Sequence, residues 1–204
     1  MRKSVLSAAI ATGALLISGQ VLAYGAGDIY TRVGIAKVAP KDDNGTLAGT
    51  LDTDVQDDNG FAFTLGYRFH DKLGVELLAA EPFDHDIKLN GSNIASTEHL
   101  PPTLTLQYYP LGGTAARVQP YVGAGINYTL FMDEELEGGP ELELENSWGA
   151  AGQLGVDLLI DEHWALNAAA WYLDIDTDVE LGGSDIGEVE IDPLVVMAGV
   201  SFRF

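Results

Sequence analysis

Apolar and polar residues alternate with a period of two along most of the chain beyond residue 27. In residues 60–70, one face carries five large apolar side chains, which are Phe61, Phe63, Leu65, Tyr67 and Phe69. A period of two is typical of β-strands that have one apolar face. The pattern predicts eight strands, at residues 28–39, 60–70, 73–81, 103–109, 121–131, 148–160, 164–174 and 194–204.

The last predicted strand ends the chain on an aromatic residue. One face carries Val196, Ala198, Val200, Phe202 and Phe204, and the other carries Met197, Gly199, Ser201 and Arg203. This pattern resembles the closing strand of a bacterial outer-membrane barrel, in which Phe204 would be the signal that the barrel-assembly machinery reads. Taken alone, the strand also fits the core of a soluble β-sandwich.

The connections between the predicted strands alternate between short and long. His70–Lys72 and Asp161–His163 are tight turns, whereas the long segments are 40–59, 82–102, 132–147 and 175–193. Short turns at one end and long loops at the other are typical of outer-membrane barrels, and an even strand count lets the sheet close without an edge. We therefore predict an all-β fold, an eight-stranded antiparallel up-and-down transmembrane β-barrel.

The amino end predicts export. Met1–Lys3 is basic, the apolar stretch 5–17 is shorter than the ~20 residues that span a bilayer, and Val21–Ala23 fits the cleavage rule for signal peptides. We predict a signal peptide at residues 1–23 and an outer-membrane barrel at 24–204, in a Gram-negative cell. The chain has no cysteine, so the fold does not depend on disulfides.

The phase of the strands predicts which side chains fill the lumen. Trp164 and Tyr172 lie on one face of their strand and resemble the two aromatic girdles of a membrane barrel, which turns Trp171 inward. Leu78 is turned inward by the same reasoning in its own strand. Large apolar groups inside a polar lumen are either filler or the lining of an apolar pocket, and the alternation leaves both open.

The inward positions also predict a polar network. An eight-stranded barrel is narrow and its inward side chains largely fill it, so a wide aqueous pore is not expected. The charged members of this network are Arg32, Arg68, Glu76, Asp157 and Arg203. Because unpaired buried charge is costly, we expect the three arginines to pair with Glu76 and Asp157.

The formal net charge of −21 is concentrated in the long connections. The segments 40–58, 82–98, 132–146 and 174–192 hold 24 of the 31 acidic residues, with only Lys41 and Lys88 as basic ones. Such a charge argues against nucleic-acid partners. It fits either solubility in a salty habitat or divalent-cation bridging to lipopolysaccharide. Asp174, Asp176 and Asp178 lack the glycine and final glutamate of an EF-hand, so no metal and no cofactor are expected.

Five segments in order resemble the OmpW family of outer-membrane proteins. They are Gly74–Ala80, His99–Leu104, Pro120–Thr129, Ser147–Gln153 and Trp171–Asp176. The resemblance implies an eight-stranded barrel with a hydrophobic channel for small apolar molecules. It also implies that Leu78 and Trp171 close the bottom of the apolar cavity. The first and third long segments depart most from the family because they are unusually acidic.

The expected function is therefore the passage of small hydrophobic solutes, with outer-membrane lipid and lipopolysaccharide as the surroundings. Pro101 and Pro102 open the fourth strand and cannot donate to the ladder, so they mark either a lateral opening or merely a strand start. A structural or adhesive barrel without transport is the alternative. The histidines and serines form no catalytic arrangement visible in the sequence, so we do not expect an enzyme.

Overall fold

The computed structural model describes residues 24–80, 83–89, 92–136 and 142–204. The predicted signal peptide lies outside the described residues, and cleavage after Ala23 remains a prediction. Eight long strands form the wall, numbered with the others in chain order: β1 (Ile29–Ala39), β4 (Asp58–His70), β5 (Leu73–Ala80), β8 (Thr103–Tyr108), β9 (Val118–Leu136), β11 (Ser147–Leu159), β12 (Trp164–Leu173) and β15 (Leu194–Arg203).

The wall is a closed antiparallel barrel. Its strands pair in the order β1, β4, β5, β8, β9, β11, β12 and β15. The ring closes between the first and last strands, from Tyr30 opposite Arg203 to Ala39 opposite Leu194. Closure removes the open edge that lipid would penalise. The predicted strand count and fold class are confirmed.

Side chains alternate between the outside and the interior as their sequence phase predicts. Large apolar residues cover the outer face, among them Trp148 at 70% exposure and Leu154 at 64%. The inward residues of the same strands are buried, as Gln153 between them on β11 illustrates. An apolar outer belt around a polar interior is typical of a barrel that stands in a membrane.

The four long segments predicted as loops contain further strands, and this part of the prediction is wrong. They hold β2 (Thr46–Leu47), β3 (Leu51–Val55), β6 (Phe83–Leu89), β7 (Ser92–Leu100), the upper part of β9, β10 (Leu142–Leu144), β13 (Asp176–Leu181) and β14 (Ser184–Glu190). They were taken as loops because they lie between the eight predicted strands, and their acidic residues are the charge of the outer mouth. In β13, however, Asp176 and Asp178 face solvent while Thr177 and Val179 are buried, and solvated strands outside lipid tolerate such charge.

The barrel has two distinct ends. The turn end carries the short connections after β4, β8 and β11, and the hairpin end carries the extra strands β2, β3, β6, β7, β10, β13 and β14. Among the described residues, none belongs to a helix that is long and apolar enough to cross a membrane.

Phe204 lies outside the wall at the turn end. Its ring is 71% exposed and meets Phe202 edge-on at 5.1 Å between ring centroids. Its backbone N–H donates to the carbonyl oxygen of Ile29 at 3.0 Å, which extends the closing seam to the last residue. The outward orientation of Phe204 is confirmed, and its role as the assembly signal remains a prediction.

Candidate functional site

On four of the wall strands, β1, β5, β12 and β15, the buried side chains change from polar to apolar going from the turn end to the hairpin end, whereas on β8 and β9 they stay polar as far as Thr103 and Thr129. On β1 the buried side chains pass from Arg32 to Ala36 and Val38, and on β5 from Glu76 to Leu78. On β12 the same change runs from Asn167 through Ala169 to Trp171 and Leu173. The interior therefore has a polar half near the turns and, on the side formed by β1, β5, β12 and β15, an apolar half near the hairpins.

The side chains of the apolar half belong to a larger cluster of buried apolar residues that also extends into the hairpins and the turn end. Residues that face into it from the wall include Leu78, Trp171, Leu173, Val195 and Met197, with Ile175 just beyond β12. Trp171 is 1% exposed and Leu78 is 4% exposed. Both were predicted to point inward, and both do. Each is the first large apolar residue beyond the polar half on its strand, so they mark the boundary between the two halves.

The centre of the polar half is Arg32, whose side chain is fully buried. Its guanidinium forms ion pairs with Glu76 and with Asp157, the latter at 2.6 Å from Nη2 to Oδ2. The same nitrogen donates to the hydroxyl of Tyr109 at 3.1 Å, and the rings of Tyr30 and Tyr121 lie 4.3 and 4.5 Å from the guanidinium carbon. This arrangement compensates the buried charge by ion pairs, hydrogen bonds and cation–π contacts.

Neutral side chains donate the other hydrogen bonds to the Glu76 carboxylate. Gln107 and Gln153 each donate a side-chain N–H to Glu76 Oε1, at 2.9 and 2.8 Å. Thr64 donates its hydroxyl to Glu76 Oε2 at 2.9 Å. The carboxylate therefore accepts four hydrogen bonds when the Arg32 contact is included. A buried network with its carboxylate acceptors occupied rigidifies the core that contains it.

The other two predicted arginines lie closer to the turn end and do not pair with Glu76 or Asp157. Arg203 pairs with Asp28 at 3.2 Å. Arg68 is buried between the rings of Tyr24 and Tyr109, with its guanidinium carbon 4.7 and 3.9 Å from their centroids, and no ion pair joins it to another described residue. The expectation that all three arginines share the two carboxylates holds for Arg32 alone, because the three guanidinium groups lie at different depths.

Two of the described ladders end on either side of the segment around Pro101 and Pro102. The ladder between β5 and β8 ends at Leu78 opposite Thr103, and the ladder between β6 and β7 begins at Phe83 opposite His99. Between these points, no ladder pair among the described residues joins the segment after Leu78 to the segment before Thr103. On the other side, the Pro102 carbonyl accepts the Tyr128 N–H at 3.1 Å, so the break is confined to one side of the segment.

An acidic group lies at the hairpin end, where β12 and β15 meet the extra strands. Asp174, Asp176 and Asp192 bring carboxylate oxygens within 4.8 Å of one another, close enough to share a cation. Partial burial, together with the charges of Asp192 and Asp174, raises the pKa of Asp176. Lys41 pairs with Glu190 and Asp192 beside them. Exposed acidic groups of this kind are also common on surfaces that bind no metal ion.

Sequence reasoning missed several members of the site. Tyr24 precedes the first predicted strand and carried no periodic signal, yet it packs against Arg68. Asp28 begins that predicted strand but was not identified as the partner of Arg203. Asp192 was not associated with Asp174 and Asp176 because it lies 16 residues further along the chain. The inward tyrosines of β1 and β9, Tyr30 and Tyr121, could have been found from their phase, which they share with Arg32 and Gln119.

Comparisons with known proteins agree with this architecture. The model of the OmpW family matches residues 25–204. Outer membrane protein W of Escherichia coli is 42% identical over 100% of both chains. The crystal structure of the outer membrane protein OprG from Pseudomonas aeruginosa superposes with a TM-score of 0.83 at 39% identity, covering 90% of this chain and 99% of that one.

A more distant relative has a more specific name. The dibenzothiophene metabolism operon protein PahQ of Pseudomonas aeruginosa is 25% identical over 79% of this chain and 79% of its own length.

Proposed function

The chain belongs to the OmpW family of outer-membrane proteins, and from that premise we propose that it admits small hydrophobic molecules and releases them sideways into the membrane. The protein is an outer-membrane β-barrel of the same type as its relatives. The turn end is then the periplasmic end and the hairpin end faces the outside, as in other barrels of this kind.

The division of the interior carries the proposal. The outer half contains a cluster of buried apolar side chains against which an apolar solute could pack. The inner half is filled by Arg32, Glu76 and Asp157 with their hydrogen-bond partners. An apolar solute that moved further inward would have to displace these charged contacts and leave buried polar groups unpaired, which is costly. A solute that enters the apolar half therefore needs another way out.

The break at Pro101 and Pro102 supplies a route for that exit. It lies next to the last β5–β8 ladder pair, Leu78 opposite Thr103, on the side toward the hairpin end. Leu78 faces the apolar half. Ala79 and Ala80, across the break, are small and only half-buried. Opening this point disrupts few backbone hydrogen bonds, and the solute gains about 0.8 kcal/mol per CH₂ group on passing from water to lipid.

The name of one relative supports the proposed class of solute. PahQ is named after an operon for dibenzothiophene metabolism, and dibenzothiophene is an apolar aromatic compound. The acidic hairpin end of the present chain does not conflict with an apolar cargo, because exposed charge is screened within about 8 Å at physiological ionic strength.

Uptake of an apolar dye by intact cells tests the proposal. Cells that display the barrel should take up N-phenyl-1-naphthylamine faster than cells without it, at equal amounts of folded protein. Leu78→Gln places an amide at the boundary of the apolar half and should slow uptake on the order of tenfold.

Leu77→Gln is the matched control for this prediction, because Leu77 is the neighbouring residue and faces outward at 45% exposure. It should leave uptake per folded barrel near the wild-type rate. If the wild-type barrel gives no uptake above background, the transport proposal is wrong and a structural or adhesive barrel is favoured. If uptake is present and the two variants behave alike, Leu78 does not line the path.

Restoring ladder donors at the break tests the lateral exit. The double substitution Pro101→Val, Pro102→Thr returns one backbone N–H toward the break, at position 101, and one toward β9, at position 102, where the carbonyl already accepts the Tyr128 N–H. It should lower dye uptake severalfold while leaving barrel stability unchanged or slightly raised. Pro193→Val is the control, since Pro193 also precedes a wall strand but its carbonyl accepts the Leu173 N–H across an intact seam. Unchanged uptake in the double variant, or steady passage of small ions through planar bilayers, would count against lateral release.

A further inference from the structure

The indole N–H of Trp171 has no hydrogen-bond acceptor among the described residues, although the side chain is 1% exposed. Buried polar groups in proteins are nearly always hydrogen-bonded, and an exception calls for an explanation such as a ligand. Other described buried atoms without a partner belong to Tyr24, Arg68, Gln119 and Asn167, which lie at the turn end or in the polar half. Trp171 differs from them because it adjoins the apolar half.

The surroundings of Trp171 leave its donor without a protein partner. Its ladder neighbour on β15 is Val195, and the next inward residue toward the outside is Leu173, both apolar and buried. Its neighbour on β11 is Gln153, the nearest polar side chain by register. The side-chain oxygen of Gln153 already accepts from Thr105 at 3.0 Å and from Gln107 at 2.9 Å, which occupies both of its lone pairs.

Gln153 is also held in place from its other side. Its amide nitrogen donates to Glu76 at 2.8 Å, so turning the amide toward the indole would break a contact of the buried carboxylate. Gln153 therefore has no free acceptor to offer Trp171. The indole N–H is left without a protein acceptor in a residue that borders the apolar half.

We propose that Trp171 selects solutes that are mainly apolar and carry one hydrogen-bond acceptor, such as a ketone, ester or ether oxygen. This inference rests on the proposed function, because it concerns a solute inside the apolar half. The solute oxygen accepts the indole N–H, and its hydrocarbon part packs against Leu173, Val195 and the rest of the cluster. A hydrocarbon of the same shape leaves the indole unpaired and binds more weakly, since a hydrogen bond in a water-poor site is comparatively strong.

Nuclear magnetic resonance of the intact barrel in lipid nanodiscs tests this without any substitution. The chain has three tryptophans, and Trp148 and Trp164 face the lipid at 70% and 46% exposure. With ¹⁵N-labelled indoles, 2-octanone should move the Trp171 N–H signal to lower field, in the direction of a stronger hydrogen bond. The isosteric alkene 2-methyl-1-octene should not. The signals of Trp148 and Trp164 report how much of each probe has entered the bilayer.

A variant measures the selectivity. Trp171→Phe keeps an aromatic ring and removes the donor, and it should reduce the ratio of ketone to alkene affinity about fivefold, the value of one ordinary hydrogen bond. Trp164→Phe is the matched control and should leave the ratio unchanged. Because both probes partition into the same lipid, comparing ratios between variants cancels that partitioning.

The outcomes separate this inference from the proposed function. A ketone-specific shift at Trp171, together with a reduced ratio in Trp171→Phe, supports it. If both probes bind in the lumen and the Trp171 signal and the ratio do not respond to the acceptor, the selectivity is refuted while the transport proposal stands. If neither probe binds in the lumen and apolar dye uptake is also absent, both proposals fall.

Discussion

Arg32→Met should lower the free energy of unfolding of the barrel by about 3–5 kcal/mol, the range measured when one partner of a buried ion pair is removed. Arg32 is fully buried and is ion-paired with both Glu76 and Asp157. Methionine fills much of the same space but leaves two carboxylates in the interior without a cation. Urea unfolding in lipid vesicles, followed by tryptophan fluorescence and by heat-modifiable gel mobility, measures the loss.

Two controls identify buried charge as the cause. Lys41→Met removes a cation that also pairs with two carboxylates, Glu190 and Asp192, but at the partly solvated hairpin end. It should cost at most about 1 kcal/mol. Adding Glu76→Gln and Asp157→Asn to Arg32→Met should recover a large part of the lost stability. If this triple variant is as unstable as Arg32→Met, packing at Arg32 and not charge compensation holds the polar half together.

Gly199→Ala should prevent most of the barrel from closing, with a stability loss of about 3 kcal/mol, at the upper end of overpacking penalties. Gly199 of β15 lies opposite Gly34 of β1 in the closing seam. A Cβ at Gly199 would overlap the backbone carbonyl of Val33, and one at Gly34 would overlap that of Ala198. Backbone atoms in a paired ladder cannot move aside as a flexible side chain can.

Gly152→Ala is the matched control for the seam. Gly152 also lies in a wall strand, yet a Cβ there would meet no atom within 4 Å. It should fold with normal yield, and the gel-shift assay compares the two variants directly. If Gly199→Ala closes normally, the backbone at this seam can shift enough to make room for the added Cβ.

The sequence determined the architecture and the orientation of the side chains. A period of two needs no tertiary information, because successive residues of a strand point to opposite faces. That rule, together with the apolar and aromatic residues that mark the lipid-facing side, placed Leu78, Trp171, Arg32 and Glu76 inside and Phe204 outside, as the structure has them. The prediction missed the acidic hairpins, because it assigned the long segments between the eight strands to loops although solvated strands can carry acidic residues.

The depth of each residue in the barrel was decided by the tertiary structure. Alternation says that a side chain points into the barrel but not how far it lies from the turn end. That distance depends on the register between strands that are far apart in sequence. Arg32 reaches Asp157 across 125 positions, whereas Arg68 lies too near the turn end to do so.

Register also decides which polar atoms find partners. The sequence identified Trp171 and Gln153 as inward residues. Only the pairing of β11 with β12 and the contacts of Gln153 with Thr105, Gln107 and Glu76 leave the indole donor unpaired beside an apolar interior. Whether a polar atom finds a hydrogen-bond partner depends on all of its neighbours in space, and the sequence alone does not identify them.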